Sequence, residues 1–217
     1  MGASVSSQHR AEATLLEACA DGDLMMARAA IADGADIDCF DDENSTPLHV
    51  ASFCGHLALV NLILDSSTES LEARGQLEGT PLHVACTGKR HEIVKILLGA
   101  KAAVDARDES GLRPLHRAAA TGDAPLVSLL LDANAAIDAT TDDGSTPLHV
   151  ASMRSRFDVL ELLVSRGASV TAITDGGDSA AELLRRHAPD DAPPARVLAL
   201  VDDGGFPSPP ASPPPPP

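Results

Sequence analysis

The hexapeptide Thr-Pro-Leu-His-Val-Ala occurs three times, at residues 46–51, 80–85 and 146–151, and a looser copy, Arg-Pro-Leu-His-Arg-Ala, fills 113–118. The copies start at 46, 80, 113 and 146, a spacing of 34, 33 and 33 residues. A fixed period of this length implies one supersecondary unit stacked on copies of itself, because such a unit cannot bury its apolar face alone. Two degenerate units extend the series. Residues 13–38 align one period upstream, with Leu15 under Leu48, Ala18 under Ala51 and Gly22 under Gly55, and residues 179–184 align one period downstream of Thr146. Six units result, starting near 13, 46, 80, 113, 146 and 179, the first and last acting as caps.

Within a unit the letters read as two short helices and a turn. Thr46-Pro47, Thr80-Pro81 and Thr146-Pro147 each open a helix: the threonine oxygen accepts an orphan N–H, and proline has none to leave unpaired. Gly55 or Gly122 ends that helix two turns later, and a second apolar-periodic stretch follows at 57–64, 92–98, 125–131 and 157–164. The second helices stop where a left-handed residue is needed, supplied by Gly34, Gly167 or Asn134.

The stretches "TPLHVASFCGHLALVNLIL" and "TPLHVACTGKRHEIVKILLGA", with the approaches "GADID" and "GASVTA", resemble ankyrin repeats over residues 11–201. The resemblance implies an all-α repeat solenoid, an ankyrin-type stack of helix-turn-helix units with protruding β-hairpin-like turns. Residues 1–10 are expected to be a disordered N-terminus and 202–217 a disordered proline-rich tail. Three departures from the pattern stand out. Lys89 and Lys101 occupy places where glycine is usual, one extra residue lies within 65–71, and Gly79 sits one place later than Gly111 and Gly144. Local strain or a displaced turn is expected there.

The recurrent His49, His83, His116 and His149 invite a metal reading, but stacked helices lie about 8–10 Å apart while zinc ligands sit about 2 Å from the ion, so successive histidines cannot share one. The resemblance implies instead that each histidine bonds the turn backbone and the motif threonine. No Gly-x-Ser-x-Gly elbow, phosphate loop, His-Glu-x-x-His or Gly-x-Gly-x-x-Gly is present, and the pairs Asp41-Asp42, Asp142-Asp143, Asp190-Asp191 and Asp202-Asp203 fall in turn-like stretches. The chain is therefore not expected to be an enzyme or to carry a cofactor or metal.

Sixteen Lys and Arg against 32 Asp and Glu give a net charge of −16, which repels phosphate backbones and argues against a nucleic-acid partner. No apolar run approaches the roughly 20 residues of a membrane span, and residues 1–10 lack the apolar core of a signal peptide. Cys19, Cys39, Cys54 and Cys86 show no metal or disulfide spacing, so a cytoplasmic, reducing setting fits, with Cys19 and Cys86 as buried thiols one residue after the motif alanine.

Function is then expected from the surface. The resemblance implies that partners bind the tips before each Thr-Pro and the concave face beside them. Carried onto this sequence, the tips hold Phe40, Asp42 and Glu43, then Arg74, Gln76 and Leu77, then Arg107, Glu109 and Leu112, then Asp142 and Asp143. Phe53, Thr87 and Met153, with Arg117 nearby, fall on the concave face. Phe40 and Phe53 either fold back on their neighbours or stand out as contacts; Phe157 reads as core. Arg74, Arg107 and Arg117 would make a basic midsection suited to an acidic segment. The expected role is an interaction module, an adaptor or scaffold acting as a monomer on a protein partner. The alternatives are a regulatory subunit of an enzyme complex and a fragment of a larger ankyrin-containing protein. Met1-Gly2-Ala3-Ser4-Val5-Ser6 fits N-myristoylation at Gly2, which would add weak peripheral membrane association. The run from Phe206 to Pro217 reads as polyproline II, either a linker or a ligand for a proline-recognition domain.

Overall fold

The computed structural model describes residues 2–187 and 195–203. Its twelve α-helices pair into six units: α1 (Gly2–Asp21) with α2 (Leu24–Ala32), α3 (Pro47–Cys54) with α4 (Leu57–Ser66), and α5 (Pro81–Thr87) with α6 (His91–Gly99). The series continues with α7 (Pro114–Thr121) and α8 (Ala124–Asp132), α9 (Pro147–Met153) and α10 (Phe157–Ser165), and α11 (Ala180–His187) and α12 (Ala195–Asp203). The odd-numbered helices pack side by side in one layer; in the second layer α2 meets α4, α4 meets α6, α8 meets α10 and α10 meets α12. This is an all-α repeat solenoid, in which an isolated bridge between Ile173 and Ser179 is the only β-pairing among the described residues.

The repeated letters explain the stacking. Leu48, Leu82, Leu115 and Leu148 are wholly buried, each contributing roughly 2–3 kcal/mol by leaving water. Ala18, Ala51, Ala85, Ala118 and Ala151 are equally buried, and their small size lets neighbouring first helices approach. Cys19 and Cys86 occupy the next position, where the second, fourth and fifth units place Ser52, Ala119 and Ser152, all fully buried. Burial pushes the Cys19 thiol up to about 12, so it behaves as a small apolar group. Phe157 is partly buried against the same core.

Thr46, Thr80 and Thr146 hold extended backbone and start the helices. The histidine three residues on closes each start. His49 Nδ1 accepts the Thr46 N–H at 3.2 Å and lies 2.9 Å from its hydroxyl. With Nδ1 accepting, Nε2 carries the proton and donates forward to the next unit. His49 reaches the carbonyl of Gly79 at 3.0 Å, His83 that of Leu112 at 3.1 Å, His116 that of Ser145 at 3.2 Å and His149 that of Ala172 at 3.1 Å. In the fourth unit Arg113 replaces the threonine, and its backbone N–H alone meets His116 Nδ1, at 3.1 Å. Burial holds all four imidazoles below their usual pKa, His83 and His116 at about 4.

A second inter-unit thread runs through carboxylates one period apart. Asp38 accepts the N–H of Ser70 at 3.2 Å, Glu72 that of Ala103 at 2.7 Å, Asp105 that of Ala136 at 3.1 Å and Asp138 that of Ser169 at 2.9 Å. The extra residue of the second unit is absorbed here. Instead of ending in a left-handed residue, α4 leaves through Ser67 and a 3-10 turn over Glu69–Glu72, with the Ser67 hydroxyl on Asp38 at 2.6 Å.

Lys89 and Lys101 take φ of 56° and 75°, so the turns stay in place at a cost of roughly 1 kcal/mol each rather than moving. Two expectations need correction. Residues 2–10, expected to lack structure, continue α1. They contain no proline, and with Ala11, Leu15 and Ala18 anchored in the core the helix propagates outward at one bond per residue. Asp202 and Asp203, assigned from the sequence to a turn and to the tail, are the last residues of α12. Asp190, Asp191 and the stretch from Phe206 onward lie outside the described residues.

Candidate functional site

Between one unit's second helix and the next unit's Thr-Pro the chain turns back on itself, forming the tips. One N–H to carbonyl bond closes each: Asp41 to Ser45 at 3.0 Å, Gly75 to Gly79 at 2.8 Å, Asp108 to Leu112 at 2.9 Å and Thr141 to Ser145 at 3.0 Å. In three of these tips the first residue also folds the turn with its side chain. Asp41 accepts the N–H groups of Glu43 and Ser45, Asp108 those of Ser110 and Leu112, and Thr141 that of Ser145.

The tip at 75–79 is built differently, because Gly75 has no side chain to offer. The Arg74 guanidinium substitutes, donating to the carbonyl of Glu78 at 3.0 Å and to that of Arg107. Left-handed backbone falls on Leu77 and Glu78, with φ of 56° and 58°, where the tips at 41–45, 108–112 and 141–145 use Asn44, Gly111 and Gly144. The one-place offset of Gly79 therefore displaces the turn. It leaves the Leu77 side chain 53% exposed.

Adjacent tips are tied into a row. Asn44 donates to the carbonyl of Arg74 at 2.6 Å, the Glu109 N–H to Leu77 at 3.1 Å, the Asp142 N–H to Ser110 at 3.1 Å and the Asp175 N–H to Asp143 at 3.0 Å. Behind this row the first helices and the tips enclose two grooves. One, of about 350 Å³, brings together Glu43, Phe53, Gln76, Leu77, Thr87 and Arg117. The other, of about 490 Å³, brings together Glu109, Leu112, Asp142, Asp143 and Met153. Phe40, Asp42, Arg74 and Arg107 line neither. Phe40 and Phe53 do not fold back: they are 55% and 50% exposed.

The basic midsection is already committed, and of its three arginines Arg117 alone lines a groove. Arg107 pairs with Asp142 at 2.5 Å, and Arg117 pairs at 2.6 Å with Asp108, whose side chain is wholly buried. With Arg74 spent on two carbonyls, the three arginines do not form an open basic patch. Asp143 is likewise engaged: the Thr141 hydroxyl bonds it and holds its carboxyl below the usual range.

Sequence reasoning missed Asp41, Val50, Cys54 and Val84, which also line the first groove. A signal was there: the fifth letter of the hexapeptide reads Val50, Val84, Arg117 and Val150, and the single Arg marks it as a position turned partly outward. A larger groove of about 980 Å³ lies between the second helices, along Leu57, Ile93, Pro125 and Leu129. Along it Lys95 pairs with Glu92 at 2.7 Å, and His91 Nε2 lies 2.9 Å from Asp123.

Among the described residues no group of His, Cys, Asp or Glu has the geometry to hold a metal ion, and no helix is long and apolar enough to cross a membrane. Gly2, the candidate acylation position, is the first residue of α1. Compared with models of known families, residues 82–174 match one described as ankyrin repeats (3 copies), and residues 15–64 match one described as ankyrin repeats (many copies). No curated protein matches the chain.

Proposed function

Since the chain belongs to the ankyrin-repeat family, whose repeats generally mediate protein–protein interactions, we propose that it is a non-enzymatic adaptor whose concave face and tips hold a segment of a partner protein. The observation that supports this reading is the convergence of Phe53 and Leu77 on one groove. They come from adjacent units, each is about half exposed, and stacking requires neither to be large and apolar. Covering the exposed half of one such side chain with a partner contributes roughly 1 kcal/mol, and the two together make an anchor.

The two ends would place the adaptor rather than choose its partner. A myristoyl group on Gly2 gives only marginal membrane binding by itself, and the proline-rich tail offers a ligand for a proline-recognition domain. The test is affinity capture from native lysate with the intact protein beside a Phe53→Ala, Leu77→Ala variant, folding being checked by circular dichroism. Loss of a partner from the folded variant supports the concave face; unchanged partners would move the function to the ends of the chain.

A further inference from the structure

We propose that the groove between the tips at 41–45 and 75–79 selects a basic linear segment carrying one bulky apolar side chain. This rests on the concave-face reading above and names the chemistry of the partner. The apolar part of the groove is formed by Val50, Phe53, Leu77 and Val84. Glu43 lines it, and Asp42 beside Glu43 and Glu78 on the next tip are exposed carboxylates of the two tips that border it. Among the described residues none of these three carboxylates belongs to an ion pair or accepts a side-chain hydrogen bond.

The nearby cations do not cancel that charge. Arg117, which lines the groove, faces its buried partner Asp108, and Arg74 on the flank of the second tip turns its guanidinium to two carbonyl oxygens. A Lys or Arg on either side of an inserted Leu, Met or Phe therefore meets carboxylates with no internal competitor, while an acidic segment meets repulsion on both sides. The chain's net charge of −16 adds long-range steering of the same sign. It also disfavours a second copy of this chain as the occupant. Residues 204–217 contain no Lys or Arg, so the protein's own tail lacks the required chemistry.

Random peptides of about twelve residues, displayed and selected on the full-length protein, give the test, with affinities then measured by fluorescence anisotropy. The expected peptides place Lys or Arg on both sides of a bulky apolar residue. Their binding should fall about tenfold or more in Phe53→Ala and in Glu43→Lys. It should also weaken as salt rises from about 50 to about 300 mM. A peptide with Glu in place of one flanking Lys should regain affinity for Glu43→Lys relative to wild type. Acidic or neutral peptides that still depend on Phe53 would overturn the basic chemistry and leave the concave-face reading standing. Binders indifferent to both Phe53→Ala and Leu77→Ala, or no binders at all, would overturn both.

Discussion

The tips at 75–79 and 141–145 occupy equivalent places in the stack but solve the turn in opposite ways. At 141–145 Thr141 folds the turn with its hydroxyl and Gly144 takes the left-handed backbone, so the tip is satisfied by local letters. At 75–79 Gly75 offers no side chain, Leu77 and Glu78 carry the left-handed backbone, and an arginine from the flank stitches the carbonyls. The cores beneath them do not differ: Leu82 and Leu148 are both wholly buried. Deviation from the repeat is thus confined to the surface layer. It coincides with the exposed apolar side chains Phe53 and Leu77, in keeping with strain persisting where a surface serves a purpose other than stability.

That comparison can be broken at its foundation first. Leu82→Ala and Leu148→Ala should each cost about 2–5 kcal/mol in urea unfolding, and similar values would keep the two cores equivalent. Acid comes next. His83, bonded to the tip at 108–112, and His116, bonded to that at 141–145, are both pushed down to about 4 in the folded chain against 6.5 unfolded, so the unfolded chain takes up protons first as pH falls. Stability should be full above pH 6.5, decline between 6.5 and about 4, and level off below, by at most about 3 kcal/mol per ring. Chemical denaturation across that range measures it, and a flat profile would show the rings to be hydrated.

Smaller effects should differ in sign between the tips. Glu78→Gly should stabilise by about 1 kcal/mol by removing left-handed strain. Gly111→Ala should destabilise by more than about 1 kcal/mol, because φ is 73° and its new Cβ would lie 2.9 Å from the Asp142 backbone nitrogen. Equal responses at the two sites, read from thermal melts, would remove the distinction. Smallest, and alike in both regions, Ser52→Ala and Ser152→Ala should each stabilise by up to about 1 kcal/mol, since both hydroxyls are buried with no hydrogen-bond partner.

Most of the fold was legible because each unit announces itself locally. Thr46-Pro47 and its copies mark helix starts whose chemistry acts within three residues, and the leucine and alanine of the hexapeptide define the packing face. The features that escaped involve partners about one period away. Pairing of Arg107 with Asp142, the hold of Arg74 on the carbonyl of Arg107 and the Asp38 to Asp138 series become visible only when units are laid side by side. The helical state of residues 2–10 escaped for another reason: a segment rich in Ser and Gly has little pattern of its own and takes its conformation from the anchored helix that follows. The candidate binding surface was partly legible. Its tips and the eighth residue of each unit follow from the family resemblance, but only geometry sorts Phe53 and Leu77 into one groove and Met153 into another.

The forward reach of the buried imidazoles gives the stack a direction. Each ring finishes its own helix start and then waits for a carbonyl that belongs to the following unit, from Gly79 through to Ala172. A ribosome delivers the chain in that same order, so each imidazole donor is made 23 to 30 residues before its acceptor, whereas the carboxylate thread runs the other way, Asp38 being made before the N–H of Ser70. For the imidazole junctions, shortening the protein is consequently asymmetric. Trimming from the front exposes a carbonyl that water satisfies readily, whereas trimming from the back strands an N–H inside the last remaining unit.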